Sequence, residues 1–514
     1  MKGLGGENPA RPVLLTRVPV ARGLALAALT CALLTGARSA LGLALVSEPK
    51  ARPNILFLFA DDQRPDTIAA LGNEFIKTPS LDRLVAEGTS FLNNHCMGSN
   101  SGAVCLPSRA MVMSGRSLHR VKSDLAEVVT LGEALGKGGY RTFGTGKWHN
   151  GSGSFARSFD EGRSVFFGGM SDHNGVPLQD LKDDGSGFTD KRTGQGHSTD
   201  IFADAAVKFL EGYGASDRDQ PFFAYVAFTA PHDPRDPPVR WREHYAANLP
   251  PLPANFLPQH PWAFDTGTLV IRDEVLAGWP RDPLVVGEQL GEYYGLISHV
   301  DQQVGRILDT LDRLELDENT LVIYSADHGL AVGSHGLLGK QNLYEHSMGC
   351  PLILRGPGIP RGEVREALTY LFDIYPTLCE VATVPVGEKV EGRSFLALAK
   401  GDGLPTRDSL FTVYQRSQLA VRDGRWKLIR FPKIDVTLLF DLEADPLETH
   451  DLAASPEYAP TLERMRALLL ARQAEFADKT PWTADELGPK QVDLSGRSRK
   501  PDRHQPEWIK KKYF

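Results

Sequence analysis

The run from Asn54 to Ala60 (NILFLFA) is continuously apolar after its first residue, without the alternation of a strand that has one wet face. Such a run predicts a parallel strand buried on both sides. Asp61 and Asp62 follow it directly. A helical pattern from Ser80 to Gly88 (SLDRLVAEG) then opens a strand and helix rhythm that recurs along the chain. Leu131 to Gly138 reads as helix and Arg141 to Thr145 as strand, ending at Gly146-Lys147-Trp148-His149. Phe222 to Phe228 reads as a strand ending at Pro231-His232-Asp233. Glu292 to Leu314 is a long amphipathic helix feeding the strand Thr320 to Ser325, which ends at Asp327-His328. The rhythm predicts an α/β fold with a large, mostly parallel central sheet flanked by helices. In all four places the polar residues fall at the C-terminal end of a strand, where open α/β sheets bind their ligands.

Two stretches break the rhythm. Asp160 to Gly196 is rich in Gly, Asp and Ser, and Asp233 to Arg281 is rich in Pro; both read as long rim loops that shape substrate choice. From about Arg407 the pattern becomes short strands, at Ser409–Tyr414, Leu419–Arg422, Trp426–Arg430 and Thr437–Asp441, followed by a helix from Tyr458 to Phe476. This predicts a smaller C-terminal antiparallel α+β subdomain. The expected organisation is a catalytic α/β domain over residues 51–400, the subdomain over 407–480, and a tail, 481–514, that is expected to be partly disordered.

Residues 1–44 hold Arg11, Arg17 and Arg22, then an apolar run from Leu24 to Leu34, then small residues, in the order of a secretory signal peptide. A secreted or periplasmic protein is expected, with no stable membrane insertion after cleavage. The chain has 514 residues, 41% hydrophobic and 24% charged, with a formal net charge of -7, which excludes nucleic-acid binding driven by overall basicity. An anionic substrate must therefore meet a local positive cluster. Of five cysteines, Cys31 lies in the leader; Cys96, Cys105, Cys350 and Cys379 are too scattered for a disulfide framework or a thiolate zinc site.

The most specific segment is Cys105-Leu106-Pro107-Ser108-Arg109, followed by Ala110 to Arg116 (AMVMSGR). Pro107 suits the first turn of a helix and Gly115 its end, which puts Cys105 at a helix N-terminus, where backbone N–H groups attract anions. This Cys-x-Pro-Ser-Arg motif resembles the signature of the formylglycine-dependent sulfatase family of alkaline-phosphatase-like fold; Ser114 stands where Thr is usual before Gly115. The resemblance runs from Pro53 to about Phe476. It implies that a formylglycine-generating enzyme oxidises Cys105 to an aldehyde whose hydrate attacks the sulfur of a sulfate ester.

The same resemblance implies one calcium ion held by Asp61, Asp62, Asp327, His328 and the modified Cys105. Three carboxylates beside an anion site would otherwise repel each other and the substrate. His328 replaces the commoner Asn, as in the subset that includes iduronate sulfatase and choline sulfatase. Arg109, Lys147 and His149 are implied to orient the formylglycine hydrate, and His232 and Lys340 to hold sulfate and assist the leaving alcohol. Asp327 could also act as a base; His335 and His346 lie nearby as structural candidates. The expected substrate is a sulfated small molecule or glycan, most of all a carbohydrate sulfate. Two rivals stand: a phosphonate or phosphate monoester hydrolase on the same fold, and a non-catalytic binder of sulfated glycans should Cys105 stay a thiol.

Overall fold

A computed structural model describes residues 52–216, 219–497 and 499–514. The leader read from residues 1–44 lies outside the described residues.

Eight strands form the main sheet, in the order Glu363–Arg365, Thr89–Phe91, Leu352–Arg355, Thr320–Ala326, Asn54–Ala60, Phe222–Ala227, Arg141–Lys147 and Glu161–Phe166. All run parallel except Leu352–Arg355, which is antiparallel to both neighbours. The two central strands, Asn54–Ala60 and Thr320–Ala326, are buried at every position. Their unbroken hydrophobicity follows from two-sided cover. Ile55, Phe57 and Phe59 face a core shared with the helix Cys105–Ser114, while Leu56, Leu58 and Ala60 face one shared with the helices Ser198–Gly214 and Pro283–Arg313.

The long helix starts at Pro283 rather than at Glu292. Asp282 caps it by accepting from the Leu284 N–H, and Pro283 occupies its first position. The Asp160–Gly196 stretch is not all loop. It contributes the edge strand Glu161–Phe166 and the two-stranded ribbon Pro177–Leu178 with Arg192–Thr193. An edge strand tolerates the Glu161 and Arg163 side chains that mask its pattern, and Gly162 lies so close beneath Phe155 that a Cβ there would sit 2.5 Å from the ring. Asp233–Arg281 likewise holds the helix Val239–Ala247.

The C-terminal segment forms a second sheet in which Leu410–Tyr414, Gln418–Arg422, Trp426–Phe431 and Val436–Asp441 pair antiparallel, covered by the helix Ala459–Glu475 through Met465 and Leu469. Gly98–Ser99 adds a short fifth strand, parallel to Leu410–Tyr414. The tail ends in the helix Glu507–Tyr513, with Ile509 and Tyr513 buried against the body. Among the described residues no helix is long and apolar enough to cross a membrane, and the four cysteines are free and buried.

Gly146 shows how tightly the strand ends are set. It lies at a register shift with φ +89°, and a Cβ would stand 1.9 Å from the Ala227 carbonyl oxygen. Gly146→Ala is expected to cost about 3 kcal/mol or more and to lower the thermal midpoint. Gly153→Ala, in a helix with nothing within 4 Å of the added Cβ, is expected to be neutral or slightly stabilising in the same melting experiment.

Candidate active site

Four strand ends and one helix start meet in a single crevice. Asp61 and Asp62 follow Asn54–Ala60, Asp327 and His328 follow Thr320–Ala326, Lys147 and His149 end Arg141–Lys147, and His232 follows Phe222–Ala227. Cys105 is the first residue of its helix, and Lys340 arrives on a later loop. Two of these residues, Asp62 (φ 68°) and His149 (φ 51°), hold left-handed backbone conformations that side chains other than Gly rarely adopt. Strain of this kind persists where the surroundings over-determine it, as at reactive sites.

The carboxylates are almost wholly buried and each has its own cation. Lys147 bonds Asp61. Lys340 Nζ donates to both oxygens of Asp62, at 2.9 and 2.8 Å. Arg109 Nε donates to Asp327 Oδ2 at 3.0 Å, and its other nitrogens donate to the Lys147 carbonyl at 3.0 Å and reach Asp61 at 3.7 Å. The Asp62 N–H donates to Asp327 Oδ1 at 3.0 Å, locking the two strand ends together.

Burial, opposed by Lys340 and reinforced by Asp61 and Asp327, pushes the Asp62 carboxyl well above the carboxylate range. Burial would also raise Asp327, but neighbouring positive charge, Arg109 and Lys147 included, holds it low. His149 falls to about 3, by burial first and then by Lys147 and Arg109, so it is neutral at neutral pH; its Nδ1 lies 3.4 Å from Cys105 Sγ. His232 is also lowered, by burial and Lys340. Its Nδ1–H donates to the Asp233 carbonyl at 2.7 Å, leaving the Nε2 lone pair toward Asp62 at 3.9 Å.

Ligand atoms of Asp61, Cys105, Asp327 and His328 all lie within 4.8 Å of one another. Oxygens around a calcium ion stand 2.3–2.6 Å from it, so opposite ligands are about 4.6–5.2 Å apart and the cluster has the right size. Two orphaned atoms support a cation. Asp61 Oδ1 and His328 Nε2 are buried and have no hydrogen-bond partner. His328 Nδ1–H donates to the Gly329 carbonyl at 2.9 Å, which leaves a lone pair on Nε2, 3.3 Å from Asp62 Oδ1. A lone pair facing a carboxylate is repulsive unless positive charge lies nearby. Asp62 is not in the tight set, because Lys340 occupies both its oxygens.

Above these groups opens a pocket of about 740 Å³ that reaches Cys105, His149, His232 and Lys340, a usual size for a small-molecule site. Its wall includes residues that the sequence did not single out: Arg272 and Asp273 from the Pro-rich stretch, and Asp502, Arg503 and His504 from the tail. Charge beside a rim loop was the only sign of the first pair. His335 stacks on Tyr344 at 3.9 Å, and His346 stacks on both of them, at 5.6 and 5.7 Å; both histidines are buried.

The family profile Sulfatase matches residues 53–384, and that of the C-terminal part of N-sulphoglucosamine sulphohydrolase matches 333–475. The chain therefore belongs to the sulfatase family, the sulfuric ester hydrolases. It is 26% identical to an N-acetylglucosamine-6-O-sulfatase of Bacteroides thetaiotaomicron, over 86% of this chain and 91% of that one. It is 27% identical to a choline-sulfatase of Rhizobium meliloti, over 79% and 83%. Among solved structures it resembles one bound to its substrate D-glucosamine-2-N,6-O-disulfate (TM-score 0.70, 24% identity, 84% of this chain and 99% of that one). It also resembles a phosphonate monoester hydrolase of Agrobacterium radiobacter (TM-score 0.65, 24% identity, 84% and 97%).

Arg109 is 1% exposed and ties three elements together. Arg109→Ala leaves Asp327 buried without its partner and is expected to cost about 3–5 kcal/mol in chemical denaturation. Arg109→Lys, which keeps the charge but not the fork of donors, is expected to fall between that variant and the wild type.

Proposed function

We propose that the chain hydrolyses a carbohydrate sulfate ester, using formylglycine formed from Cys105 and one calcium ion held by Asp61, Asp62, Asp327, His328 and residue 105. The observation that carries this reading is the position of Cys105: first residue of a helix, beside His149 and within ligand distance of the Asp61, Asp327 and His328 cluster. A calcium ion there would add positive charge next to a sulfate oxygen and to the oxygen at position 105.

The chain's own residues supply the rest. Two-electron oxidation of Cys105 by a formylglycine-generating enzyme and its oxidant, with the thiol sulfur lost as sulfide, would give an aldehyde, hydrated to a pair of hydroxyls. One hydroxyl would attack sulfur, passing its proton to the Asp327 carboxylate, while the ester oxygen would leave as alcohol, taking a proton from Lys340 or from His232. Lys340 is charged: burial would lower it, but Asp62 and Asp273 outweigh that. His232 presents a lone pair at rest, so it becomes a donor only once an anionic sulfate favours its protonation. The second hydroxyl would then give its proton to neutral His149, the bond from carbon to the sulfated oxygen would break, and the aldehyde would return with release of sulfate. Arg109 and Lys147 stabilise charge on the oxygens at position 105.

The sugar substrate rests on the N-acetylglucosamine-6-O-sulfatase relative and on the width of the pocket. The order of basic, apolar and small residues in 1–44 supports a secreted or periplasmic location. Phosphoryl transfer is the second reading, favoured by a relative named multifunctional alkaline phosphatase superfamily protein, from Trinickia caryophylli, at 27% identity over 84% of this chain and 96% of that one.

Mass spectrometry of the peptide carrying residue 105, from protein made in a host with the generating enzyme, is expected to show an aldehyde in place of the thiol. An unmodified thiol there would reject the mechanism. Cys105→Ala and Asp327→Ala are each expected to lower turnover by about a thousandfold or more. On matched esters of one alcohol, sulfate is expected to be the faster substrate; faster phosphate or phosphonate turnover would favour the second reading.

A further inference from the structure

The tail beyond residue 475 lies outside both family matches, yet it is fastened to the active-site wall. Gln505 is buried and its amide donates to Asp233 Oδ2 at 3.1 Å. Asp233 is the same residue whose carbonyl holds His232. Trp508 Nε1 donates to Asp236 at 2.9 Å, and the Tyr513 hydroxyl and Lys512 ammonium reach Glu292 at 2.6 and 3.0 Å. Glu292 sits on the long helix and is 4% exposed. These contacts join the end of the chain to the His232 loop and to the helix behind it.

Between the body and this anchor, residues 502–505 make a tight turn. The His504 N–H donates to Asp502 Oδ1 at 2.9 Å and the Gln505 N–H to the Asp502 carbonyl at 3.1 Å. The turn presents Arg503 on the wall of the pocket that contains Cys105 and Lys340. The other cations of that wall are already engaged. Arg272 spans Asp233, at 2.6 and 3.0 Å, and Asp273; Lys340 is held by Asp62. Arg503 donates to His504 Nε2 at 3.0 Å, and among the described residues it has no carboxylate partner. Arg503 is exposed to the same pocket as Cys105 and Lys340, and a guanidinium so placed, with no carboxylate engaging it, can receive an oxyanion.

We propose that the tail is a strap that sets specificity, and that Arg503 binds a second anionic group, a sulfate or a carboxylate, on the same sugar whose sulfate ester is cleaved. This rests on the sulfatase reading for the identity of the first group. Trp508 and Gln505 are positioning residues that hold the strap in place.

The test is calorimetric binding of D-glucosamine-2-N,6-O-disulfate and of D-glucosamine-6-O-sulfate to the Cys105→Ala chain, where no turnover intervenes, with a 6-O-sulfated disaccharide bearing a uronate as the carboxylate arm. The dianionic sugars are expected to bind more tightly than the monosulfate. Arg503→Ala is expected to lower that affinity ratio about tenfold, Arg503→Lys to restore part of it, and Trp508→Ala, which lines none of the pocket, to lower it by releasing the strap. An equal loss for mono- and dianionic sugars, or an unchanged ratio in Arg503→Ala, would overturn the proposal. Which dianionic sugar carries the shift identifies the second group as sulfate or carboxylate. If the ratio shifts as expected but the wild-type chain hydrolyses no sulfate ester, the strap stands and the sulfatase reading falls. If aryl sulfates are hydrolysed and none of the sugars binds, the strap falls and the sulfatase reading stands.

Discussion

Three buried carboxylates, three cations and a pair of neutral histidines are confined in one crevice, and their mutual electrostatics organise the strand ends around them. Each carboxylate is matched: Asp61 with Lys147, Asp62 with Lys340, Asp327 with Arg109. Matched pairs cancel, so the crevice alone has no surplus positive charge to attract an anionic sulfate. Asp61 Oδ1, which accepts no hydrogen bond, and the lone pair on His328 Nε2 mark where additional charge fits. A dication there would turn a neutral set into an anion receptor, with Asp62 sharing its carboxylate between the ion and Lys340.

The fold exists in this form because parallel strands deliver their C-terminal ends to one side. The central strands are buried on both faces, which fixes their register through packing and leaves the strand ends little freedom. The Asp62 N–H to Asp327 bond and the close approach of Gly146 to Ala227 show that the ends are set against each other at the scale of single atoms. Arg109 reaches across from the Cys105 helix to bind two of these ends at once. The same side chain that anchors Cys105's helix thus also holds the carboxylates that face it.

The parts of this arrangement that were legible in the sequence have strong local signals. NILFLFA and TLVIYSA are hydrophobic on both faces, and Cys105 to Arg109 carries a helix start and a nucleophile in five residues. The edge strand Glu161–Phe166 is hidden in the sequence because an edge needs no apolar alternation, and so are the first turns of the long helix, because Asp282 and Pro283 resemble a turn as much as a cap. The tail was least legible. Its Lys and Arg residues suggest a solvated end, whereas its order comes from contacts with Asp233, Asp236 and Glu292, more than two hundred residues away in sequence. No local pattern encodes such partners. His328 was recognisable as a candidate ligand, but only the structure shows that its Nδ1 is committed to Gly329, so that Nε2 is the atom available.

The need for a divalent ion at the meeting point of the strand ends is therefore the claim on which the rest depends. Calcium titration of metal-stripped protein by isothermal calorimetry, with thermal melting in parallel, tests it directly. The account predicts saturable binding of one ion per chain and a raised melting midpoint, both lost in Asp327→Asn. Absence of saturable binding, with the same midpoint in calcium and in chelator, would contradict it.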